Sequence, residues 1–209
     1  TGAGHVAVGK QALKDCTTAN SNTAVGQLAA SALTTGWACV AIGDQAMGAG
    51  VVTGNSNNAV GYQAGENLTT GSNNNFFGTY AGEETTTGEY NVAIGQEALE
   101  ANTTGTNNVA IGYRSLESNT GGTNTAVGSY SLFSFTGGGS QNKPNTAVGY
   151  AAMYNTTTGE DNTAVGRAAL QENLTGDNNT AVGHWALHKN ESGTDNTAVG
   201  QFSHYGGGS

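Results

Sequence analysis

The sequence comes back twelve times to Ala-Val-Gly or a close variant of it. The glycines that close the phrase are Gly9, Gly26, Gly43, Gly61, Gly78, Gly95, Gly112, Gly128, Gly149, Gly166, Gly183 and Gly200. Their spacing is 17 residues, apart from single steps of 18, 16 and 21. A period this short and regular permits one kind of architecture. Each repeat is a single coil that cannot bury its own apolar residues, and a continuous core forms only when coils stack. Such chains build rods and surfaces, so the segment is read as structural and not as an enzyme.

The repeat can be written Asn-Thr-Ala-Val-Gly-x-x-Ala-Leu-x-x-Asn-Thr-Thr-Gly-x-Asn, slots 1 to 17. Slot 1 is Asn in ten of twelve repeats, with His5 and Cys39 as the exceptions. Slots 2 to 4 alternate with period two, the mark of a strand. In Val92-Ala93-Ile94 the expectation is that Val92 and Ile94 face inward and Ala93 outward. Slot 8 is Ala or Ser, slot 9 mostly Leu or Met, and together they predict a second short strand. Slots 13 to 15 predict a Thr-Thr-Gly turn in which glycine supplies positive φ. Identical slots should stack about 4.8 Å apart in a parallel array roughly 55 Å long. Slot 1 then becomes an asparagine ladder that satisfies turn backbone groups. A helix fails, because glycine would break it twice per repeat.

The predicted fold is therefore an all-β parallel β-solenoid, or β-roll, of about twelve 17-residue coils. Residues 1–205 form a single repeat array, with an irregular loop at 133–144, and 206–209 a Gly/Ser tail. The opening Thr1-Gly2 matches the Thr-Gly that closes other repeats, which reads as a piece of a longer fibre. With 34 glycines but a single proline, the chain is not collagen. A net charge of −9 argues against nucleic acid or an anionic membrane as partner. No stretch approaches the roughly 20 apolar residues of a membrane span. Cys16 and Cys39 sit at different slots and read as free thiols.

On this reading the interior is thin, one Val or Ile and one Leu or Met per coil, which is meagre for a free-standing monomer. The small slot 3 residues are therefore expected at a subunit interface: Ala93, Ala110, Ala126, Ala147, Ala164, Ala181 and Ala198. The expected assembly is a homotrimer, intertwined or side by side.

The phrases Asn91-Val92-Ala93-Ile94-Gly95, Asn108-Val109-Ala110-Ile111-Gly112 and Val40-Ala41-Ile42-Gly43 resemble the head repeat of trimeric autotransporter adhesins. The whole array of Asn-Thr-Ala-Val-Gly, Ala-Leu and Asn-Thr-Thr-Gly also looks like the repeats of bacteriophage tail-fibre proteins. The resemblance covers nearly all of the chain and implies a three-chain parallel β-roll. The coils here are longer than those of the adhesin heads, and the Asn-Thr-Thr-Gly turns favour the tail fibre.

Glu66, Glu83, Glu100 and Glu117 share slot 10 in consecutive repeats. They would form a like-charge column, either a solvated ridge or a weak Ca²⁺ site; no cofactor is expected. Tyr62, Tyr80, Tyr113, Tyr130, Tyr150, Trp185 and Phe202 all follow the glycine at slot 6 or 7. These rings could stack on sugars, or pack at an interface. The loop adds Phe133, Phe135 and Lys143 as candidate receptor contacts. Repeat 5 carries Phe76-Phe77 in place of Ala-Val, a bulky plug or an interface knob.

The functional expectation is a fibre segment for attachment to a host or surface, such as a phage tail-fibre shaft. It would sit on a virion or an extracellular surface and bind itself and a glycan or protein receptor. A bacterial adhesin head is the alternative. An ice-binding solenoid ranks lower, because the Thr-Thr of slots 13 and 14 lies in a turn and is broken at Gly121 and Leu174.

Overall fold

The computed structural model describes residues 2–137 and 143–206. Each repeat contributes one three-residue strand: β1 (Val6–Val8), β2 (Thr23–Val25), β3 (Val40–Ile42), β4 (Asn58–Val60), β5 (Asn75–Phe77), β6 (Val92–Ile94), β7 (Val109–Ile111), β8 (Thr125–Val127), β9 (Thr146–Val148), β10 (Thr163–Val165), β11 (Thr180–Val182) and β12 (Thr197–Val199). The twelve strands form one parallel sheet in sequence order. Register is slot on slot throughout, Ala93 opposite Ala110 and Ile94 opposite Ile111. The chain is thus an all-parallel β-solenoid, a stiff, elongated rod about 50 Å long at ordinary strand spacing.

The expected second strand does not form. Slots 8 and 9 lie in a tight turn, and the sole bridge outside the named strands, among the described residues, joins Leu33 to Val52. Slots 7 and 9 adopt left-handed backbone in every coil, as at Glu97 (φ 57) and Leu99 (φ 56). The region costs an L-residue about 1–2 kcal/mol, and the sequence shows how it is tolerated. No Val, Ile or Thr occupies slot 7 or 9, so the side chains that suffer most there are absent. Leu99, Leu116, Leu132, Leu170 and Leu187 in turn bury their side chains almost completely.

The inward and outward faces of the strand are the reverse of expectation. Ala93, Ala110, Ala126, Ala147, Ala164, Ala181 and Ala198 point into the coil and are 0–4% exposed. They therefore pack within their own chain and offer no surface to another subunit. The reason is steric. A 17-residue coil is narrow, and the slot 9 leucine or methionine already fills its centre, so only a methyl fits behind the strand. The β-branched slot 4 residues are displaced outward, leaving Ile94 41% and Val165 38% exposed.

The asparagine ladder forms as predicted. Asn91 Nδ2 donates to Gly105 O at 2.9 Å, and Asn91 Oδ1 accepts from the backbone N–H of Asn108 in the next coil at 3.0 Å. The same pair recurs at Asn74, Asn162 and Asn179. The two exceptions do part of the same work. His5 Nδ1 accepts from Asn22 N at 3.3 Å, and Cys39 Sγ lies 3.5 Å from Gly54 O as donor. Both cysteines are free.

The glycine of the Thr-Thr-Gly turn has a different role from the one expected. Positive φ belongs to slot 5, as at Gly95 (φ +131). At slot 15 the constraint is close approach: a Cβ on Gly71 would lie 2.3 Å from Gly88 O of the next coil.

Candidate binding face

Slots 6, 7 and 10 emerge on the same side of the coil, so they run as adjacent columns along the rod. In coils 4 to 7 the slot 10 column is Glu66, Glu83, Glu100 and Glu117, as expected. Glu97 of slot 7 joins it, and its carboxylate approaches those of Glu100 and Glu117 within 4.8 Å. Glu66 and Glu83 are not part of that group. Arg114 supplies the counter-charge: its guanidinium pairs with Glu97 and lies 3.4 Å from Glu117. A resident guanidinium occupies the position a cation would take, so the triad reads as an ion-pair network on the surface of the coil.

Partial burial and mutual repulsion push every member of the slot 10 column upward. Glu83 is pushed up to about 7, first by burial and then by Glu100, Glu66, Glu84 and Glu97. Glu66, Glu100 and Glu117 are raised mainly by burial. A carboxyl whose folded pKa lies above its unfolded one binds more protons when folded, so its contribution is most favourable below about pH 4.5 and declines as pH rises to about 7. Glu83 is half-buried, and solvent on its open side screens the effect to about 1 kcal/mol. The expected result is a melting temperature that falls about 2–4 °C more between pH 4.5 and pH 7.5 than that of Glu83→Gln, which lacks the Glu83 contribution. Parallel melting curves for the two proteins across that range would remove the repulsion argument.

In coils 8 and 9 the slot 10 column turns aromatic. Phe133 and Tyr154 follow Glu117 in slot 10 and stack face to face, 5.0 Å between centroids. Tyr130 meets Phe133 and Tyr150 edge-on at 5.8 and 6.1 Å. These rings, with Arg114, Ala151 and Gln171, line an open pocket of about 380 Å³. Farther along, Trp185, Phe202, Tyr205, His184 and His188 form a second cluster, with Trp185 and Phe202 4.9 Å apart. Burial lowers the His188 imidazole from its ordinary range, and its Nε2 lies 2.9 Å from Gln171 Oε1. No protein-family model matches this chain, and no curated protein or solved structure matches it.

Of the aromatic residues expected on this edge, Tyr62, Tyr113, Tyr150 and Phe202 are exposed, whereas Tyr80, Tyr130 and Trp185 are half-buried. Tyr62 and Tyr80 form their own edge-on pair at 5.4 Å. Phe133 takes part in the pocket. Phe135 is 3% exposed and packs in the core at slot 12, so it is not a surface contact. Lys143 is exposed and 3.3 Å from Glu160. The rest of the expected loop, residues 138–142, lies outside the described residues. Sequence reasoning missed Glu97, Arg114, Tyr154, Arg167 and Gln171. The signal was available: slot 10 carried past its glutamates reads Phe133, Tyr154, Gln171, His188, a continuous column on the same face.

Proposed function

We propose that this chain is a fibre segment that assembles as a homotrimer through the outward face of its sheet and holds a surface for attachment. One observation carries the reading. Slots 2 and 4 of all twelve strands contain no charged residue, and within the slot 4 column Ile42, Phe77, Ile94, Val165 and Val182 are 37–41% exposed on a single chain, Val8 and Val199 more so, while Val25, Val60, Ile111, Val127 and Val148 are half-buried. An unbroken apolar stripe of this length is a surface that wants covering. Three residues of strand by eleven strand spacings give about 10 Å by 50 Å, roughly 500 Å² per chain. Three such faces around one axis bury about 1,500 Å² in the whole trimer, about 500 Å² for each pair of chains. Among the described residues no helix is long and apolar enough to cross a membrane. A bacteriophage tail-fibre shaft is the favoured setting, and the head of a bacterial adhesin is the alternative.

Light scattering tests the assembly. The chain is 20.9 kDa, so three copies give 62.7 kDa. Ile94→Lys combined with Val165→Lys should return the monomer mass with an unchanged far-ultraviolet circular dichroism spectrum. A folded wild-type monomer would exclude the trimer.

The same face supports a second reading. Thr125, Thr146, Thr163, Thr180 and Thr197 stack in register beside Val127, Val148, Val165, Val182 and Val199, giving five rows of Thr-x-Val. This is the regular hydroxyl and methyl array that an ice-binding surface needs. It differs from the turn threonines, whose slot 13 hydroxyls are committed to the next coil, as Thr86 Oγ1 to Thr103 O at 3.0 Å. Thermal hysteresis from a monomer would favour it.

A further inference from the structure

The slot 7 column contains a gap. Tyr130 in coil 8 and Trp185 in coil 11 are separated by Ala151 and Ala168, the two smallest side chains of that column. Both alanines are nearly buried and form a floor two coils wide, with an aromatic wall at each end. Slot 6 borders the floor with Tyr150 and Arg167, and slot 10 borders it with Tyr154 and Gln171. The half of the gap next to Tyr130 is the open pocket already described.

Arg167 is the informative residue. The chain has fifteen carboxylates and six basic side chains. Arg114, Lys14 and Lys143 each have an acidic neighbour, whereas Lys10, Lys189 and Arg167 have no ion pair among the described residues, and of these three only Arg167 borders the floor. Arg167 is exposed, and no carboxylate is paired with it among the described residues. Instead its guanidinium sits 5.9 Å from the Tyr150 ring and 5.7 Å from the Trp185 ring, and its Nη1 is 3.3 Å from His184 Nε2. In so acidic a chain, an arginine held between two rings at the rim of a small-residue floor, with no carboxylate partner, keeps donors for an anion beside aromatic walls. Gln171 adds an amide whose oxygen is already held by His188.

We infer that this cleft binds a sugar residue bearing a carboxylate, with the sugar ring on the Ala151–Ala168 floor between the aromatic walls and the carboxylate on Arg167. A neutral sugar uses only the aromatic walls. A simple anion uses only the arginine. The site offers both within one residue's reach, and the opposite charge is supplied by the ligand. The inference rests on the attachment reading and is independent of the trimer.

The test is titration calorimetry on the full chain, with three oligosaccharides matched in length: one ending in a uronic acid, one ending in a sialic acid, and a neutral one. The expected result is millimolar binding of at least one acidic sugar, about tenfold tighter than the neutral one. Comparison of the two acids tells whether the carboxylate is accepted on the ring carbon remote from the glycosidic link, as in a uronic acid, or on the anomeric carbon itself, as in a sialic acid. Arg167→Gln should abolish the tenfold preference and leave weak neutral binding, whereas Trp185→Ala should remove both. Equal affinity for acidic and neutral sugars, unchanged in Arg167→Gln, overturns the carboxylate assignment and leaves attachment through the aromatic edge standing. No binding of any of the three overturns the site. A parallel assay of labelled protein on whole bacterial cells then reports on attachment itself: retention keeps that reading, and its absence removes it.

Discussion

Phe76→Ala is expected to cost about 3–5 kcal/mol of stability, and adding Gly82→Leu to that variant to restore most of it. Phe76 stands where other coils have the slot 3 alanine, and it is fully buried. Its ring fits because slot 9, mostly leucine or methionine elsewhere, is glycine in that coil and the one before it. A Cβ on Gly65 would lie 2.8 Å from Phe76 Cδ2, and one on Gly82 would lie 2.5 Å from Phe76 Cε1. One large side chain thus fills the volume that two leucines would share, approached from the opposite wall. Alanine at 76 opens a cavity with nothing behind it. Leucine at 82 fills part of it in the left-handed conformation that Leu99 adopts (φ 56), close to the backbone of Gly82 (φ +61). Gly82→Leu alone collides with the ring and should be the least stable of the three. Urea denaturation of the four proteins measures the coupling, and a double variant no better than Phe76→Ala would show that the two sites do not share a cavity. Because coils contact only their neighbours, hydrogen exchange should place the loss in coils 4 to 6.

Much of this architecture was legible in the sequence. Period, strand position, parallel stacking and the asparagine ladder follow from spacing and from what slot 1 must satisfy. The direction of the strand was not. Alternation says that slots 2 and 4 share a face, but not which face is inside. Hydrophobicity alone puts Val92 and Ile94 inward, and what decides otherwise is the volume left behind the strand once Leu99 has turned into the core. That turn depends on left-handed backbone at Glu97 and Leu99, which no glycine announces. The absence of β-branched residues from slots 7 and 9 was its trace in the sequence. The binding face was half legible for a related reason. The aromatic residues after each glycine were visible one by one, whereas the Ala151–Ala168 gap and the lone Arg167 gain meaning only when slots 6, 7 and 10 are set side by side.

The ladder itself sets the second large effect. Asn91→Ala is expected to destabilise by about 2–4 kcal/mol, although alanine is tolerated sterically. Four contacts end at this amide: Nδ2 on Gly105 O at 2.9 Å and on Asn74 Oδ1 at 3.1 Å, and Oδ1 under Asn108 N at 3.0 Å and Asn108 Nδ2 at 3.2 Å. They are not equally replaceable. Gly105 O keeps Asn102 Nδ2 at 3.1 Å, and Asn74 Oδ1 keeps Asn91 N at 3.0 Å. Asn108 N has no such reserve; it is buried and loses its acceptor outright, and an orphaned buried N–H is the dominant cost. The acceptor is therefore the half that matters. His5 can stand in slot 1 because its ring nitrogen accepts from Asn22 N. Asn91→Asp separates the two roles: it keeps an acceptor over Asn108 N but loses the donor and buries a charge. Its deficit should be larger than that of alanine at pH 7 and should shrink as pH falls through the carboxylate range, because protonation restores a donor and removes the charge. Chemical denaturation at pH 4 and pH 7 distinguishes these cases. If alanine and aspartate respond identically to pH, the ladder holds the coils by packing and not by its hydrogen bonds.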